Sequence, residues 1–503
     1  MNVTFLSALE AFVTVLWGWP LILGLVGIGI YLTIRGKLWQ LRHFKDCFAG
    51  VFKQNDGAKG GEHYEKTGKL TAYRALAVAC GAAIGVGNIG GVSSAIALGG
   101  PGVLFWMWVC AFVGMMTKMC EVTLGVHYRS VDQNGKTFGG APFYIEKGFK
   151  ELGIKGGKIL ATCFAFSFFL DMFFGMENYT ISEAVSSTFN LPMIPVAIVY
   201  FLVCKFVILG GMKSISSLSA YLFPFMAIFY ILGGLYILGS NFSNLGNTFA
   251  LIFKSAFTPT AAIGGFAGSA LILTIRTGVA RSVYSNEAGR GSSPFAHATA
   301  DVRHPIEQGK MGILEVFFDT FVICSITGLV IVNTGVWNSG LSGATLALSA
   351  FNIGFGGTWG GKFMTIALIL FCLTTAFGWF VYFESVLRYL FRGNSKMKER
   401  MVWILKIFLH GTPSMLLTIA AVVLKWDTSS VWMFADLASG IPVYINMFCL
   451  LLLSGKFFQL LRHYNKTRYH VKDDGIPDDM PIFSQIKMPY EEAAELERAS
   501  KKA

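Results

Sequence analysis

The sequence predicts an all-α polytopic membrane protein, and three observations carry that prediction. Of 503 residues, 54% are hydrophobic and only 14% charged, with a mean hydropathy of +0.56, whereas soluble domains carry about 25% charged residues. The apolar residues are gathered into runs long enough to cross roughly 30 Å of hydrocarbon as helices. The basic residues lie between those runs, so the net charge of +12 points to anionic lipid headgroups and not to nucleic acid.

Eleven transmembrane helices are expected, over about 11–34, 72–98, 102–127, 159–187, 191–210, 214–239, 262–284, 310–335, 363–389, 402–424 and 429–455. The first has no basic region before it and no small-residue cleavage site after it, so it reads as an anchor and not a cleaved signal. The second and third share an uncharged stretch broken at Gly99-Gly100-Pro101-Gly102, a run that cannot stay helical and marks a tight turn. Lys and Arg concentrate in alternate loops: Arg35 to Lys69, Arg129 to Lys158, Arg281 to Lys310 and Arg388 to Arg400. By the positive-inside rule the N-terminus lies outside a cell membrane and the C-terminus in the cytoplasm. The polar stretch after Gly455 is then a solvated cytoplasmic tail. Nine scattered cysteines without a CxxC pair read as small buried hydrophobes.

Two spans carry glycine clusters at which a helix would break. The second holds Gly81-Ala82-Ala83-Ile84-Gly85-Val86-Gly87-Asn88-Ile89-Gly90-Gly91, and the seventh holds Gly264-Gly265-Phe266-Ala267-Gly268-Ser269. With span one set aside as an extra helix, these open two five-helix sets, the pattern of an inverted-repeat transporter with a midplane site. The implied division is 1–70 (first helix and basic loop), 71–240 and 241–455 (the two repeats) and 456–503 (the tail). Unwinding frees amides that hold a carboxylate and carbonyls that hold Na⁺, while glycine lets the ligand approach the backbone.

Several motifs, in order, carry a family resemblance: GxGNIGGV at 85–92, the GGPG turn, FWMW, GMMTKxxE, GGAPFYIEKG (139–148), YSNEAGRGSSP (284–294), HPIEQG (304–309), FFDTFVICSITGLV (317–330), FGWFVYFE (377–384) and ADLASG (435–440). The chain resembles the alanine or glycine:cation symporter family, the sodium:alanine symporters, over nearly its whole length before the tail. That family is similar in fold to the LeuT-type amino-acid:sodium symporters. The resemblance implies a 5+5 inverted repeat and sodium-coupled uptake of a small neutral amino acid, alanine or glycine, by alternating access. It implies substrate contacts at Gly85, Val86, Gly87, Asn88, Glu177, Phe266 and Trp379. It places sodium at the carbonyls of Gly81 and Ile84 and the hydroxyls of Thr374 and Thr375, and it matches Ala83 and Asn88 to a second ion position. Many relatives carry Gln where Glu177 stands, and Met or Leu where Arg290 stands. These departures open two alternatives, a different amine substrate or proton coupling through Glu177. A non-transporting amino-acid sensor on the same fold is a third.

Other charges within spans have plainer expected roles. Asp171, Glu177 and Glu183 are six residues apart and so cannot share one helix face, which leaves Asp171 and Glu183 as solvated or capping groups. Glu315 and Asp319, at i and i+4, share a face and are expected to pair with Arg276 or Arg281. Lys118 and Glu121 are expected to pair locally, and His410 to sit at a helix kink. Asn286 and Glu287 belong either to an internal gate or to a solvated turn ended by Gly289. No HExxH, GxSxG or nucleotide-binding loop is present, so no enzyme is expected.

Overall fold

The computed structural model describes residues 3–53, 67–258, 267–393, 395–426, 428–473 and 475–502. Among the described residues the secondary structure is helical apart from one isolated bridge and a small hairpin, Ser130–Val131 against Thr137–Phe138. The helices used below are α1 (Val3–Leu16), α2 (Trp19–Arg35), α3 (Ala72–Ala83), α4 (Val92–Gly99), α5 (Val103–His127), α6 (Ala141–Glu151), α7 (Gly157–Leu170), α8 (Glu177–Phe189), α9 (Met193–Leu209) and α10 (Gly211–Ser240). They continue as α11 (Leu245–Phe257), α12 (Ala267–Asn286), α13 (Pro294–His297), α14 (Pro305–Val316), α15 (Ser325–Asn333), α16 (Gly343–Gly354), α17 (Trp359–Leu390), α18 (Ser395–Ile404), α19 (Thr412–Val423), α20 (Thr428–Tyr469) and α21 (Pro489–Lys502).

Among the described residues, eight helical stretches are long and apolar enough to cross a membrane, and nine if the bent pair at 72–99 counts as one span. The expected span over 191–210 corresponds to the shorter apolar helix α9, of 17 residues, and that over 262–284 overlaps α12. The outer surface explains the composition. Ile198, Val199, Leu202 and Phe206 on α9, and Phe225, Ile228, Leu232 and Leu235 on α10, are all exposed. Apart from the adjacent Ile198 and Val199, both sets recur every three or four residues, so each helix turns one apolar stripe outward, the arrangement a hydrocarbon solvent favours.

Helix ends follow local chemistry. Thr71 caps α3 by accepting from the Arg74 amide. His304 caps α14 through Ile306, and Pro305 sits where a missing N–H costs nothing. At the GGPG turn Gly100 has φ +77, and a Cβ on Gly102 would lie 2.4 Å from the Ser255 carbonyl, so α11 rests on bare backbone there. The deeply buried helix α5 is gripped from two sides by glycines. A Cβ on Gly278 of α12 would fall 2.7 Å from Trp106 Cβ, and one on Gly312 of α14 would fall 2.9 Å from Lys118 Cγ. Such contacts supply van der Waals packing where lipid removes the hydrophobic drive for helix association.

The tail is not the free, solvated extension expected from its polarity. Ser484 N–H donates to the His127 carbonyl at 3.0 Å, Arg129 stacks on Phe483, and Glu491 of α21 pairs with the buried Lys147 of α6 at 2.7 Å. Long-range partners that composition does not report hold it against the bundle.

Candidate functional site between two helix breaks

The glycine cluster of the second expected span is a break. Helix α3 stops at Ala83, Ile84 is extended (φ −78, ψ 98), and a wider helical turn resumes over Gly87–Gly91, leaving the two halves bent by 44°. Asn88 holds the gap in shape. Its Oδ1 accepts from the Gly85 amide at 2.7 Å, and its Nδ2 donates to Asp319 Oδ1 at 2.6 Å. The first amides of the restarted helix, at Val86 and Gly87, have no intrahelical acceptor and are the donors open to an anion.

Helix α17 crosses this break closely. Thr375 Oγ1 donates to the Gly81 carbonyl at 3.3 Å, and Thr374 Oγ1 donates to the Phe371 carbonyl at 3.0 Å. A Cβ on Gly85 would lie 2.0 Å from Thr375 Oγ1, so only glycine fits opposite that hydroxyl. The Gly81 carbonyl and the Thr375 hydroxyl thus meet as neutral oxygen donors, a type that suits a hard cation, while the Thr374 hydroxyl turns to the carbonyls of its own helix. On the other side of the break a Cβ on Gly87 would lie 3.1 Å from Ser285 Cα and 3.2 Å from the Tyr284 ring.

The expected break at Gly264–Ser269 lies partly outside the described residues, and a second interruption is seen farther along the chain. Residues 264–266, including the expected contact Phe266, lie outside the described residues, and Ala267, Gly268 and Ser269 are helical. Helix α12 instead ends at Asn286, and α13 starts only at Pro294. Between them Glu287, Gly289 and Gly291 have positive φ. This segment is buried and not a solvated turn. Glu121 accepts from the amides of Gly289 (3.2 Å) and Gly291 (3.0 Å), and Asn446 donates to the Gly289 carbonyl at 2.9 Å. Glu287 accepts from Ser292 at 2.7 Å. Lys118 pairs with Glu315, not Glu121, at 3.3 Å, and Glu315 also meets His297 at 3.0 Å.

The two breaks are joined by Asp319, which pairs with neither Arg276 nor Arg281. It accepts from Asn88, from Ser285 (2.9 Å) and from Thr320 (2.8 Å), so one buried carboxylate orders both interruptions. Arg281 pairs instead with Asp436, at 2.8 and 3.0 Å, and stacks on Trp432. This pair borders a vestibule of about 850 Å³ at the end of the bundle carrying the Gly99–Gly102 turn. Glu183 accepts from the Ala344 amide at the start of α16, so it caps.

Beside the first break lies a cavity of about 50 Å³ lined by Asp171, Glu177, Tyr284, Arg290, Trp379 and His410, among others. Asp171 is buried, not solvated, and sits 2.9 Å from Arg290. The Arg290 guanidinium stands 4.6 Å above the Trp379 ring. Tyr284 joins the two regions, with its ring against Gly87 and its edge in the cavity. Glu177 and Trp379 therefore share one cavity, which Tyr284 connects to Gly87.

The sequence model described as the sodium:alanine symporter family matches residues 2–476. The chain belongs to that family. It is 36% identical to the sodium/alanine symporter AgcS of Methanococcus maripaludis over 92% of this chain and 98% of that one. An uncharacterized transporter of Haemophilus influenzae shows the same identity and coverage. The probable sodium/glutamine symporter GlnT of Bacillus subtilis is 32% identical over 91% of this chain and 90% of its own. Among solved structures, MhsT in complex with L-phenylalanine has a similar fold, with a TM-score of 0.55 at 15% identity, covering 85% of this chain and 97% of MhsT. The protein is a transporter of a symporter family, not an enzyme.

Sequence reading missed Arg290–Asp171, Glu121 on the second break and Asp319 on both. A lone Asp between two Phe residues and a Thr in an apolar span was the one available signal for the last.

Proposed function

We propose that the protein is a secondary transporter carrying a small neutral amino acid into the cell with Na⁺ by alternating access, with alanine and glycine as first candidates. The observation that carries this reading is the break at Ile84–Val86 facing Thr375. It offers carboxylate-binding amides and cation-binding oxygens within one short stretch of chain. The substrate carboxylate sits on the amides of Val86 and Gly87, and Asn88 holds Gly85 in place. Sodium takes the carbonyls of Gly81 and Ile84 and the hydroxyls of Thr374 and Thr375. Trp379 and Glu177 bound the space beyond. The membrane arrangement is eleven spans, an extra helix followed by two five-helix repeats, with the N-terminus outside. The Gly99–Gly102 end of the bundle then faces outward, so Arg281–Asp436 lies on the outer side and closes over the site, and Arg281 does not stand with the cytoplasmic charges of the Arg281–Lys310 stretch.

Equilibrium binding of labelled alanine to the purified protein in NaCl and in KCl tests the site. Tighter binding in NaCl, lost in Thr375→Ala, is expected; equal binding in both salts overturns the sodium assignment. A second reading, coupling to a proton or transport of a different amine, is favoured by Glu177, whose carboxylate lines the cavity with no ion pair among the described residues. Under that reading Glu177→Gln changes the pH dependence of uptake, and an unchanged profile rejects it.

A further inference from the structure

The tail is fastened across a seam that runs up to the first break. At the tail end of the bundle α3, α5, α13 and α14 form one tied set. Gln308 of α14 donates to the Ala72 carbonyl at the start of α3 (3.3 Å) and to His297 Nδ1 of α13 (2.7 Å). His297 in turn meets Glu315 of α14, which pairs with Lys118 of α5. A second set stands opposite. Arg392, just past α17, pairs with Glu146 of α6 at 3.1 Å, and Glu151 of α6 pairs with Lys456 of α20. The seam between the sets reaches the candidate cation position, where Thr375 of α17 meets Gly81 of α3. Toward the tail it is close apolar contact: a Cβ on Gly378 of α17 would lie 2.4 Å from Ala82 Cβ of α3. Elsewhere at this end His304, which caps α14, lies 3.3 Å from His463 of α20.

The chain beyond α20 crosses from one side of this seam to the other. It first turns back along α20, where the Ile476 and Asp478 carbonyls accept from Lys466 (2.8 Å) and His463 (3.3 Å). It then passes over the end of α5 and grips His127 twice. The His127 ring donates to the Ile482 carbonyl at 2.8 Å, and the His127 carbonyl accepts from the Ser484 amide at 3.0 Å. Beyond α5 it lands on the second set. Lys150 of α6 donates to the Lys487 carbonyl at 3.1 Å, the Arg392 guanidinium stands 5.6 Å from the Tyr490 ring, and Glu491 pairs with Lys147 of α6 at 2.7 Å. Lys147 is only 2% exposed, and removing one partner of a buried ion pair is strongly destabilising, so this contact is the clasp. The end of α5, and through it the set that carries α3, is thus held under a segment anchored on both sides of it. The family match ends at residue 476, so the path from Pro477 onward is an addition to the architecture which that match describes.

We propose that residues 476–495 are an autoinhibitory strap, which resists the parting of α3 from α17 at the tail end and thereby limits turnover. The inference rests on the alternating-access reading above, in which that parting releases substrate and ion into the cell.

The test compares the full-length wild-type protein, Glu491→Lys, Glu491→Gln and the charge-exchanged Lys147→Glu/Glu491→Lys in proteoliposomes. The readouts are amide hydrogen exchange, which reports local opening, and the kcat for labelled alanine under an inward Na⁺ gradient. Glu491→Lys sets like charges together at the clasp. It is expected to speed exchange in 476–495, in α3 and in 380–390, and to raise kcat, each by roughly fivefold or more, the lower end of couplings between separate sites. Glu491→Gln, which adds no repulsion, should shift all of these in the same direction by less. Exchange in α4, on the far side of the break, should keep its wild-type rate, which separates release from general unfolding. The exchanged pair should return every readout toward wild type. A tail that both single variants leave fully protected overturns the clasp. A freed tail with unchanged exchange in α3 and 380–390, or with unchanged kcat, overturns the strap. Absence of any uptake by the wild-type protein overturns the transport reading instead, and the exchange comparison still decides whether the tail restrains α3.

Discussion

Gly85 provides the sharpest local test of the break. A methyl group added there would lie 2.0 Å from Thr375 Oγ1, 3.1 Å from its Cβ and 3.4 Å from its Cγ2. Contact at 2.0 Å is far inside van der Waals separation, so either α17 or the unwound segment must move. Overpacking of a tight interior costs about 1–3 kcal/mol, and the displaced groups are those assigned to sodium. Gly85→Ala should therefore lower the detergent-solubilised melting temperature and reduce Na⁺-dependent uptake by roughly tenfold or more, since every 1.4 kcal/mol is a factor of ten. The partner substitution separates packing from chemistry. Thr375→Ala removes the 2.0 Å and 3.4 Å contacts and leaves only the 3.1 Å one, which a shift of a few tenths of an ångström relieves. Gly85→Ala/Thr375→Ala should thus regain most of the lost stability, with a coupling of about 0.5–3 kcal/mol between the sites, while sodium dependence stays impaired. A Gly85→Ala protein as stable and active as the wild type would refute the close crossing. A double variant no more stable than the single would refute Thr375 as the cause.

Three further outcomes follow from other contacts. Asp319→Asn replaces an acceptor of bonds from Asn88, Ser285 and Thr320 with an amide that opposes at least one of those donors. It should destabilise the protein by about 1–3 kcal/mol and abolish uptake, measured by thermal unfolding and proteoliposome flux. Asp436→Asn breaks the two-point contact with Arg281. Cysteine-labelling at Ser342, on the vestibule, should become faster if the pair restrains that entrance, and unchanged labelling would count against it. On the tail side, burial pushes the Glu151 carboxyl up, but hydrogen bonds from Lys456 and Tyr128 outweigh it and hold the group below its ordinary value. A depressed carboxylate stabilises fully above its unfolded value and loses that contribution as pH falls through the folded one. Limited proteolysis should therefore find α6 and its contact with α20 intact at neutral pH and loosened only in acid, below the usual carboxylate range.

The legible part of the architecture was whatever one segment encodes by itself. Apolar runs, the GGPG stop and the Gly81–Gly91 break are local signals, and each was placed near its observed position. The interruption after Asn286 was legible only in part. The stretch around Glu287 and Arg290 reads as a helix exit stopped by Gly289, belonging either to an internal gate or to a solvated turn. Its burial depends on Glu121, Lys118 and Asn446, contributed by helices more than 150 residues away in sequence. The pairing of charges failed for the same reason: Asp319 and Arg281 were expected to meet each other, yet took partners from elsewhere, Asn88 in one case and Asp436 in the other. The docked tail is a further case, since polarity reports compatibility with water and says nothing of Lys147 waiting beneath it. At the candidate site, Glu177 and Trp379 came from the family resemblance, while the Arg290–Asp171 pair beside them is visible only in the structure.

The central claim is that the break at Ile84–Val86 couples an amino acid to Na⁺. The most direct measurement is accumulation of labelled alanine and glycine in proteoliposomes with an inward Na⁺ gradient, with and without a sodium ionophore. Accumulation of at least one above its external concentration, abolished when the ionophore collapses the gradient, is the predicted result. Equal uptake with and without the gradient, or none of either amino acid, would contradict it.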